Sequence, residues 1–534
     1  MNRKTWVLPS VIGLLAPVLA GCGGLGSGDS DNKPIIVGTG DVFTVTKKVP
    51  APFDPAYAYD IGSWNLLRQT VQSLMRIPRG GGEPEAEAAQ ECSFTDSGMQ
   101  RYVCKLRDGL KFADGDPITS KEFKYSIQRV VNIKADSGVR GLLTNIQTIQ
   151  TPSAREIVFL LKAPDATFPY KLATPTAAAV NPKLYPPRKL RTGFALDGSG
   201  PYTLKAETKG QVLTKAVFSR NPNYKGGLKL ENDKVELRPF TDPEKMGDAL
   251  TDGTIDVIAK GLSTKQTEDL QSKPPEHVNI TEMPGLEIRY LAFDTDDAAV
   301  TKPVRRAIAQ LVDRGQIVTQ VYGTSAEPLY SLVPARIAGH TNSFFNLYGA
   351  PSVDKARKIL TDAGISTPVK LTLHYTTDHY GPRTKGEFAV LEKQLNDSGL
   401  FQADVKSAPW DVFRTDEIAG KYKAYGMGWF PDFPDPDNFV APFLDIPNFP
   451  NSPYNNDTIV KKLLPDSRRE ADRLGANADS LEKIQDIVAD DVPYLPLWQG
   501  KQYVATRDDI TGAEWALSTS SILQLWELGR GVGG

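Results

Sequence analysis

Short apolar runs alternate with amphipathic helical segments along most of this chain. The runs 35–37 and 157–161 are short and rich in Ile, Val and Leu, which is typical of buried strands. The segments 119–132, 302–323 and 352–364 instead carry apolar residues at helical intervals. Because no repeat period accompanies this alternation, it predicts an α/β fold. A chain of 534 residues exceeds what one hydrophobic core holds, so we expect two or three lobes.

Capping residues predict where two of these helices begin and end. Thr119 and Glu122 have the spacing of a capping box, in which each side chain accepts a hydrogen bond from a backbone N–H at the helix start. Ser352 is a suitable N-cap for the third helix, and Gly364 is a suitable terminator.

The N-terminus has the order of a targeting segment. A short positive region precedes fifteen uncharged residues, 6–20, which are too few to span a bilayer. The sequence Leu-Ala-Gly-Cys then ends at Cys22 and resembles a bacterial lipoprotein signal, in which the cysteine is lipidated and becomes the new N-terminus. We expect a signal peptide over 1–21, a flexible tether over 22–34, and a lipid anchor on the extracytoplasmic face of the cell membrane. An ordinary secretory signal, with the cysteine present by chance, is the alternative.

Cys92 and Cys104 flank a hairpin pattern. The residues between them contain a Thr-Asp-Ser-Gly turn, 95–98, followed by a strand-like run. Two cysteines equally far from such a turn lie opposite each other, and the compartment outside the cytoplasm is oxidising. We expect a structural disulfide between them, with two free thiols as the alternative.

The sequence lacks the common catalytic and metal-binding patterns. Its four histidines have no i, i+4 helical spacing, and no cysteine pair has metal-ligand spacing. No P-loop or nucleophile elbow is present, so we expect no cofactor, no metal and no enzymatic activity. A glycosidase needs only two carboxylates at a suitable separation, and 64 acidic residues leave that class open. The net charge of −2 argues against a nucleic acid as partner.

The segment 426–443, GMGWFPDFPDPDNFVAPF, holds three acidic residues among aromatic rings and prolines. Its four prolines and its turn-forming residues argue against both a helix and a central strand. A plain surface loop would not usually carry four Phe and a Trp. The combination indicates carboxylates held against rings, as in a binding site.

Several segments together resemble one family. They appear in the order expected for that family and are 106–132, 198–205, 221–227, 304–334 and 493–498. The family is the family 5 extracellular solute-binding proteins, which serve ABC importers of peptides and nickel chelates. The resemblance implies a two-lobed α/β fold like that of periplasmic binding proteins, of type II and similar to cluster C.

The same resemblance implies how the lobes divide the chain. The first lobe would cover 35–285, with a subdomain inserted at about 55–194, and the second lobe would cover 286–503. Residues 504–534 would return to the first lobe. The ligand would lie in the cleft between the two lobes and become buried when they close.

The resemblance also extends to the proline-rich segment. "GWFPD" is similar to a pattern of the dipeptide and oligopeptide binders, in which the aspartate pairs with the ligand's α-amino group. That role would fall on Asp432, with Trp429 as the neighbouring tryptophan and Phe430 and Phe433 as walls that exclude water. A peptide ammonium taken out of water needs a compensating charge, and one fixed carboxylate supplies it. A turn role is the alternative for Asp432.

Two further acids and three further residues have open roles. We expect turns or caps for Asp435 and Asp437; a calcium site with Asp432 is the alternative, although it lacks the EF-hand spacing. Arg383 or His379 could receive a ligand carboxylate, with a solvated surface arginine as the alternative. Trp64 could offer its ring to the ligand or belong to the core.

The resemblance implies capture of a dipeptide or oligopeptide and its delivery to the permease subunits of an ABC transporter. We expect a monomer that has a peptide ligand and a membrane anchor. Three other functions remain open: binding of an oligosaccharide or metal chelate by the same fold, peptide sensing without transport, and catalysis, which would require substrate turnover.

Overall fold

The computed structural model describes residues 33–135, 139–473 and 479–531. The predicted signal peptide, Cys22 and most of the predicted tether lie outside these ranges. The strands, in chain order, are β1 (Ile35–Thr39), β2 (Met75–Arg76), β3 (Glu85–Ala86), β4 (Ala89–Phe94), β5 (Arg101–Leu106), β6 (Ile146–Ser153), β7 (Glu156–Leu161), β8 (Tyr202–Lys209), β9 (Val212–Arg220), β10 (Lys234–Pro239), β11 (Val257–Lys260), β12 (Val278–Phe293), β13 (Ala326–Pro328), β14 (Val369–Thr376), β15 (Phe401–Ala408), β16 (Ala424–Trp429), β17 (Tyr494–Arg507), β18 (Ile510–Thr511) and β19 (Gly529–Arg530).

Helices lie between most of these strands. In chain order they are α1 (Ile61–Thr70), α2 (Ser120–Ile133), α3 (Phe168–Lys171), α4 (Pro243–Thr251), α5 (Thr264–Ser272), α6 (Lys302–Leu311), α7 (Arg314–Ile317), α8 (Ser343–Tyr348), α9 (Val353–Asp362), α10 (Thr384–Asp397), α11 (Trp410–Ile418), α12 (Asp437–Leu444), α13 (Leu464–Ser467) and α14 (Asp479–Asp491). Among the described residues, no helix is both long enough and apolar enough to cross a membrane.

Eleven strands form one large mixed sheet. Ten of them follow the order β15-β14-β16-β12-β17-β11-β1-β10-β9-β8, and β13 pairs with β17. A separate sheet of four strands has the order β4-β5-β7-β6 and lies, in sequence, between β1 and β8. This second sheet lies within the range 55–194 for which an inserted subdomain is predicted, and that assignment stays a prediction.

The two longest strands carry the chain between two hydrophobic cores. β12 and β17 pair antiparallel from Val278–Arg507 to Ala292–Tyr494, and the pairing is interrupted between Pro284 and Ile288. One core draws its side chains mainly from the segments before β12 and after β17, and the other draws them from the residues between these strands. The predicted two-lobed α/β fold is therefore confirmed, while the exact domain boundaries stay a prediction.

Local capping predictions are confirmed. At the start of α2, the Thr119 side chain and Glu122 form both halves of a capping box. Ser352 caps α9 by accepting a hydrogen bond from the Lys355 N–H at 3.3 Å, and Gly364 follows the helix with a positive φ of 68°. These contacts depend on neighbours in sequence, which is why the pattern alone predicts them.

The expectation that the segment 426–443 forms neither strand nor helix is wrong at both ends. β16 runs to Trp429 inside the large sheet, and α12 begins at Asp437 and contains Pro442. The reason is the position of the prolines. The first proline of the segment is at position 431, so β16 keeps all of its backbone N–H donors. Pro442 lies in the last turn of the short α12. Only the stretch 430–436 between the two elements is irregular.

The predicted disulfide between Cys92 and Cys104 is confirmed, because the two residues lie directly opposite each other on β4 and β5. The bond closes a small loop, and on the chain-entropy account such a loop stabilises the folded state by roughly 3 kcal/mol. We expect the Cys92→Ser, Cys104→Ser variant to lose about this free energy of unfolding, measured in urea. Thiol titration of the denatured, unreduced protein should find neither of these cysteines free, and titratable thiols at both positions would contradict the pairing.

Candidate functional site

Asp432 lies where the two lobes meet. Its backbone N–H donates to Oδ1 of Asn438 at 2.8 Å, and the Asn438 amide donates back to Oδ2 of Asp432 at 3.1 Å. The hydroxyl of Tyr59, a first-lobe residue, donates to the same Oδ2 at 3.1 Å. Both side-chain donors therefore reach one oxygen, and Oδ1 accepts no hydrogen bond from any residue that the structure describes.

The electrostatics of Asp432 favour a positively charged partner. Burial raises the pKa of its carboxyl to about 6, although hydrogen bonds from Asn438 and Tyr59 and the charge of Arg68 oppose that rise. Burial and the neighbouring Asp432 also raise the pKa of Tyr59, so the phenol stays protonated and acts as a donor. A cation placed at the free oxygen would stabilise the ionised carboxylate.

Two arginines hold the loop that carries Asp432. Arg473 binds Asp435 through two hydrogen bonds of 2.8 Å, and both side chains are buried. Arg468 contacts Asp437 and Asp445, each at 2.9 Å. Asp435 also accepts the backbone N–H of Asp437 at 2.8 Å, so the predicted turn role is present. Besides this turn contact, Asp435 and Asp437 form ion pairs with the two arginines. No residue near these two acids in the sequence predicted those ion pairs.

A cavity of about 370 Å³ lies between the lobes. Lys260 and Asp41 line it from the first lobe, and Phe430 and Arg383 line it from the second. The crossing strands contribute residues on its floor, among them Glu287, Trp498 and Lys501. A cavity of this size and position, with mixed charged and aromatic walls, is typical of a small-ligand site.

Most of the charges around this cavity already have partners. Lys260 contacts Asp41 at 2.7 Å, and Lys501 contacts Glu282 at 2.9 Å. Arg383 differs, because no carboxylate lies within ion-pair distance of it among the described residues. Among the described residues its hydrogen-bond acceptor is the backbone carbonyl of Val321, and burial lowers its pKa while the charge of Glu268 opposes that change. Arg383 is therefore a lining cation with capacity for an anionic partner.

An arginine that sequence reasoning missed supports the cavity wall. Arg289 on β12 pairs with Glu287, and its guanidinium lies 4.2 Å from the ring centre of Tyr380, 5.5 Å from that of Phe430 and 5.2 Å from that of Trp498. Such contacts fix three lining rings around one buried charge. Gly428 leaves room for this guanidinium, because a Cβ there would lie 2.0 Å from one of its nitrogens and Arg289 would have to shift.

Of the predicted site residues, Phe430 and Arg383 line this cavity, whereas Asp432, Trp429, Trp64 and His379 are not among its lining residues. Trp64 is 3% exposed in the first core and donates to the Ala58 carbonyl at 2.8 Å, while Trp429 is 7% exposed in the second core. His379 stacks on Trp410 with ring centres 3.8 Å apart. Desolvation and the charge of Arg289 lower the pKa of His379 to about 4, so the ring is neutral near pH 7. Of the two carboxylate candidates, Arg383 is the charged one.

Tyr59 was missed because its partner is distant in sequence. It lies 373 positions from Asp432, and its own neighbours predict only a tyrosine just before a helix. Asp60 caps that helix, α1, by accepting the Ser63 N–H at 2.8 Å, which fixes the backbone that presents the phenol. The capping pattern could have indicated the helix start but not the contact across the lobes.

Two lobes joined by crossing strands, with a charged and aromatic cavity between them, define a bilobal solute-binding protein. The family model described as bacterial extracellular solute-binding proteins, family 5 middle, matches residues 83–451. The chain belongs to this family.

Relatives match along nearly the whole chain. One is the "Probable D,D-dipeptide-binding periplasmic protein DdpA" of Escherichia coli, 27% identical over 476 residues, covering 87% of this chain and 89% of that protein. Another is the oligopeptide-binding protein OppA of Bacillus subtilis, 24% identical, covering 93% and 94%. The solved structure of the Escherichia coli murein tripeptide binding protein MppA aligns with a TM-score of 0.77 at 20% identity, covering 94% of this chain and 99% of that one.

Proposed function

We propose that this protein captures peptides outside the cytoplasm and delivers them to the permease of an ABC importer. The observation that carries the proposal is Asp432, a partly buried carboxylate at the lobe boundary whose Oδ1 accepts no hydrogen bond from the residues that the structure describes. A peptide α-ammonium fits this oxygen in charge and in hydrogen-bond direction. The surrounding protein excludes water from the ammonium and the Asp432 carboxylate, which strengthens the attraction between the two charges.

The cavity wall supplies a charge of opposite sign to that of Asp432. Arg383 lines the cavity without a carboxylate partner among the described residues. A ligand with an ammonium at one end and a carboxylate at the other would satisfy both Asp432 and Arg383. The named relatives, which bind dipeptides, oligopeptides and a murein tripeptide, support the same class of ligand.

The direct test is to identify what the protein carries. We expect native mass spectrometry of protein purified from its host to show a bound mass that fragments as a peptide. Calorimetry with a mixture of short peptides should then show binding that N-acetylation of the peptides weakens. A bound oligosaccharide or metal chelate, or peptides that bind equally well when acetylated, would contradict the proposal. Loss of peptide uptake on deletion of the gene would separate import from sensing.

Binding should depend on pH through Asp432. The raised pKa of about 6 means that the unliganded carboxyl takes up a proton as the pH falls through that value. A neutral carboxyl cannot pair with an ammonium, so affinity should be level above about pH 7 and fall by up to about tenfold per pH unit below about pH 6. Calorimetry across this range measures the effect. An acetylated peptide should lack this step, and a flat profile for the free peptide would contradict it.

We also propose that Cys22 carries the lipid anchor, which rests on the signal-like sequence that ends there. The Cys22→Ala variant should leave the membrane fraction or accumulate as an uncleaved precursor, because no thiol is left to acylate. Fractionation followed by immunoblotting measures both outcomes. Normal processing together with membrane pelleting of this variant would contradict lipid anchoring.

A further inference from the structure

One wall of the large cavity is aromatic. Four of the rings that line the cavity form what we call the aromatic wall: Tyr322, Tyr380, Phe430 and Trp498. The rings of Tyr322 and Trp498 pack together, with centres 4.2 Å apart. An apolar cavity of about 150 Å³ holds one benzene ring. This cavity of about 370 Å³ therefore has room for a ring and part of a peptide backbone.

The polar atoms of the two packed rings have a partner outside the cavity. The Tyr322 hydroxyl and the Trp498 Nε1–H both donate to Oε2 of Glu387, at 2.5 and 2.9 Å. Glu387 lies on α10, is 3% exposed and is not among the residues that line the cavity. The Tyr380 hydroxyl likewise donates to the Gly428 carbonyl, at 3.4 Å. The aromatic wall therefore presents mainly ring carbon to a ligand.

Protein contacts fix the rings of the aromatic wall. The buried guanidinium of Arg289 contacts three of them, and it is held in turn by its ion pair with Glu287. Glu387 fixes the fourth ring, Tyr322, through the hydrogen bond from its hydroxyl. Rings held in this way lose little freedom when a ligand binds, so more of the contact energy contributes to affinity.

We infer that the aromatic wall binds an aromatic side chain of the ligand, so that peptides with such a residue are preferred over peptides with a saturated residue of the same size. Aromatic rings attract one another in edge-to-face and offset-stacked arrangements, beyond the effect of the area that they bury. The inference rests on the proposed function, because it takes the ligand to be a peptide. It does not require the contact between that peptide and Asp432.

The test compares phenylalanine with cyclohexylalanine, whose saturated ring has nearly the same size. Three pairs of tripeptides carry the test residue at the first, second or third position, with alanine at the other two. Calorimetry on the full protein should show, for at least one position, a preference of roughly two- to tenfold for phenylalanine. Burial of apolar area cannot produce this preference, because the saturated ring is at least as apolar as the aromatic one.

Two variants test whether the aromatic wall causes the preference. Phe430→Leu removes one of its rings and should reduce the ratio of the two affinities. Phe345→Leu is the matched control, because the Phe345 ring is 50% exposed and is not among the residues that line the cavity. That variant should leave the ratio unchanged. Thermal melting of both variants excludes misfolding as the cause of a changed ratio.

The outcomes separate this inference from the proposed function. If none of the tripeptides binds, the proposed function fails. If they bind, but cyclohexylalanine binds as well as phenylalanine at all three positions, the aromatic subsite is refuted and the proposed function stands. A preference that persists unchanged in Phe430→Leu would also refute the role of the aromatic wall. The comparison on the unmutated protein does not depend on the folding of any variant.

Discussion

Replacing Asp432 by Ala is expected to weaken the binding of a free-amino peptide by roughly two to four decades. The change leaves the ligand's ammonium buried without its partner, and breaking a buried pair in this way costs on the order of 3–5 kcal/mol. The fold should survive, because the carboxylate has a free oxygen at the lobe boundary and contacts only Tyr59 and Asn438 by side-chain hydrogen bonds. Calorimetry measures the loss, and Asp404→Ala, at an exposed position on β15, is the control.

A double-mutant cycle assigns that loss to the ammonium. N-acetylation of the peptide should weaken binding to the unmutated protein by a comparable factor. It should weaken binding to Asp432→Ala much less, because the charge that it removes no longer has a partner. Losses that simply add would mean that Asp432 does not contact the ammonium and acts only within its loop.

Replacing Arg473 by Met is expected to lower the free energy of unfolding by roughly 3–5 kcal/mol. The substitution leaves the carboxylate of Asp435, which is 1% exposed, without its two charged hydrogen bonds. Urea unfolding of the unliganded protein measures the change. Arg469→Met is the matched control: its partner Asp466 lies 3.2 Å away at the surface, so that variant should lose about 1 kcal/mol or less.

A second substitution tests the cause. Adding Asp435→Asn to Arg473→Met removes the orphaned charge and should recover a large part of the lost stability. The same double variant keeps the turn, because an asparagine oxygen still accepts the Asp437 N–H. If it were no more stable than the single variant, the loss would come from packing around the arginine stem and not from the unpaired carboxylate.

The sequence predicts the structure correctly where contacts join residues close in sequence, or where a residue pattern has a known chemical role. The hairpin between Cys92 and Cys104 follows from a turn and two equal arms, and the capping box at Thr119 follows from a three-residue spacing. The two-lobed fold followed from family resemblance together with the alternation of strands and helices. Each of these predictions needs only neighbours in sequence or a known arrangement of elements.

The site could be predicted only in part, because it is built from distant pairs. The contacts Tyr59–Asp432 and Asp435–Arg473 join residues 373 and 38 positions apart, and no period or motif connects their members. Aromatic residues posed a different problem. Trp64 and Trp429 lie beside the predicted site in sequence, yet hydrophobic burial placed each in a lobe core.

The hydrogen bond from Tyr59 to Asp432 also bears on transport without cargo. It joins the lobes through protein atoms alone, and a bond to a charged group contributes about 1.5–3 kcal/mol. That raises the empty closed population by roughly ten- to hundredfold over a chain with phenylalanine at position 59. An importer that responds to closure alone would hydrolyse ATP on such empty encounters. The Tyr59 hydroxyl therefore stabilises the joined arrangement of the lobes whether or not a ligand is present.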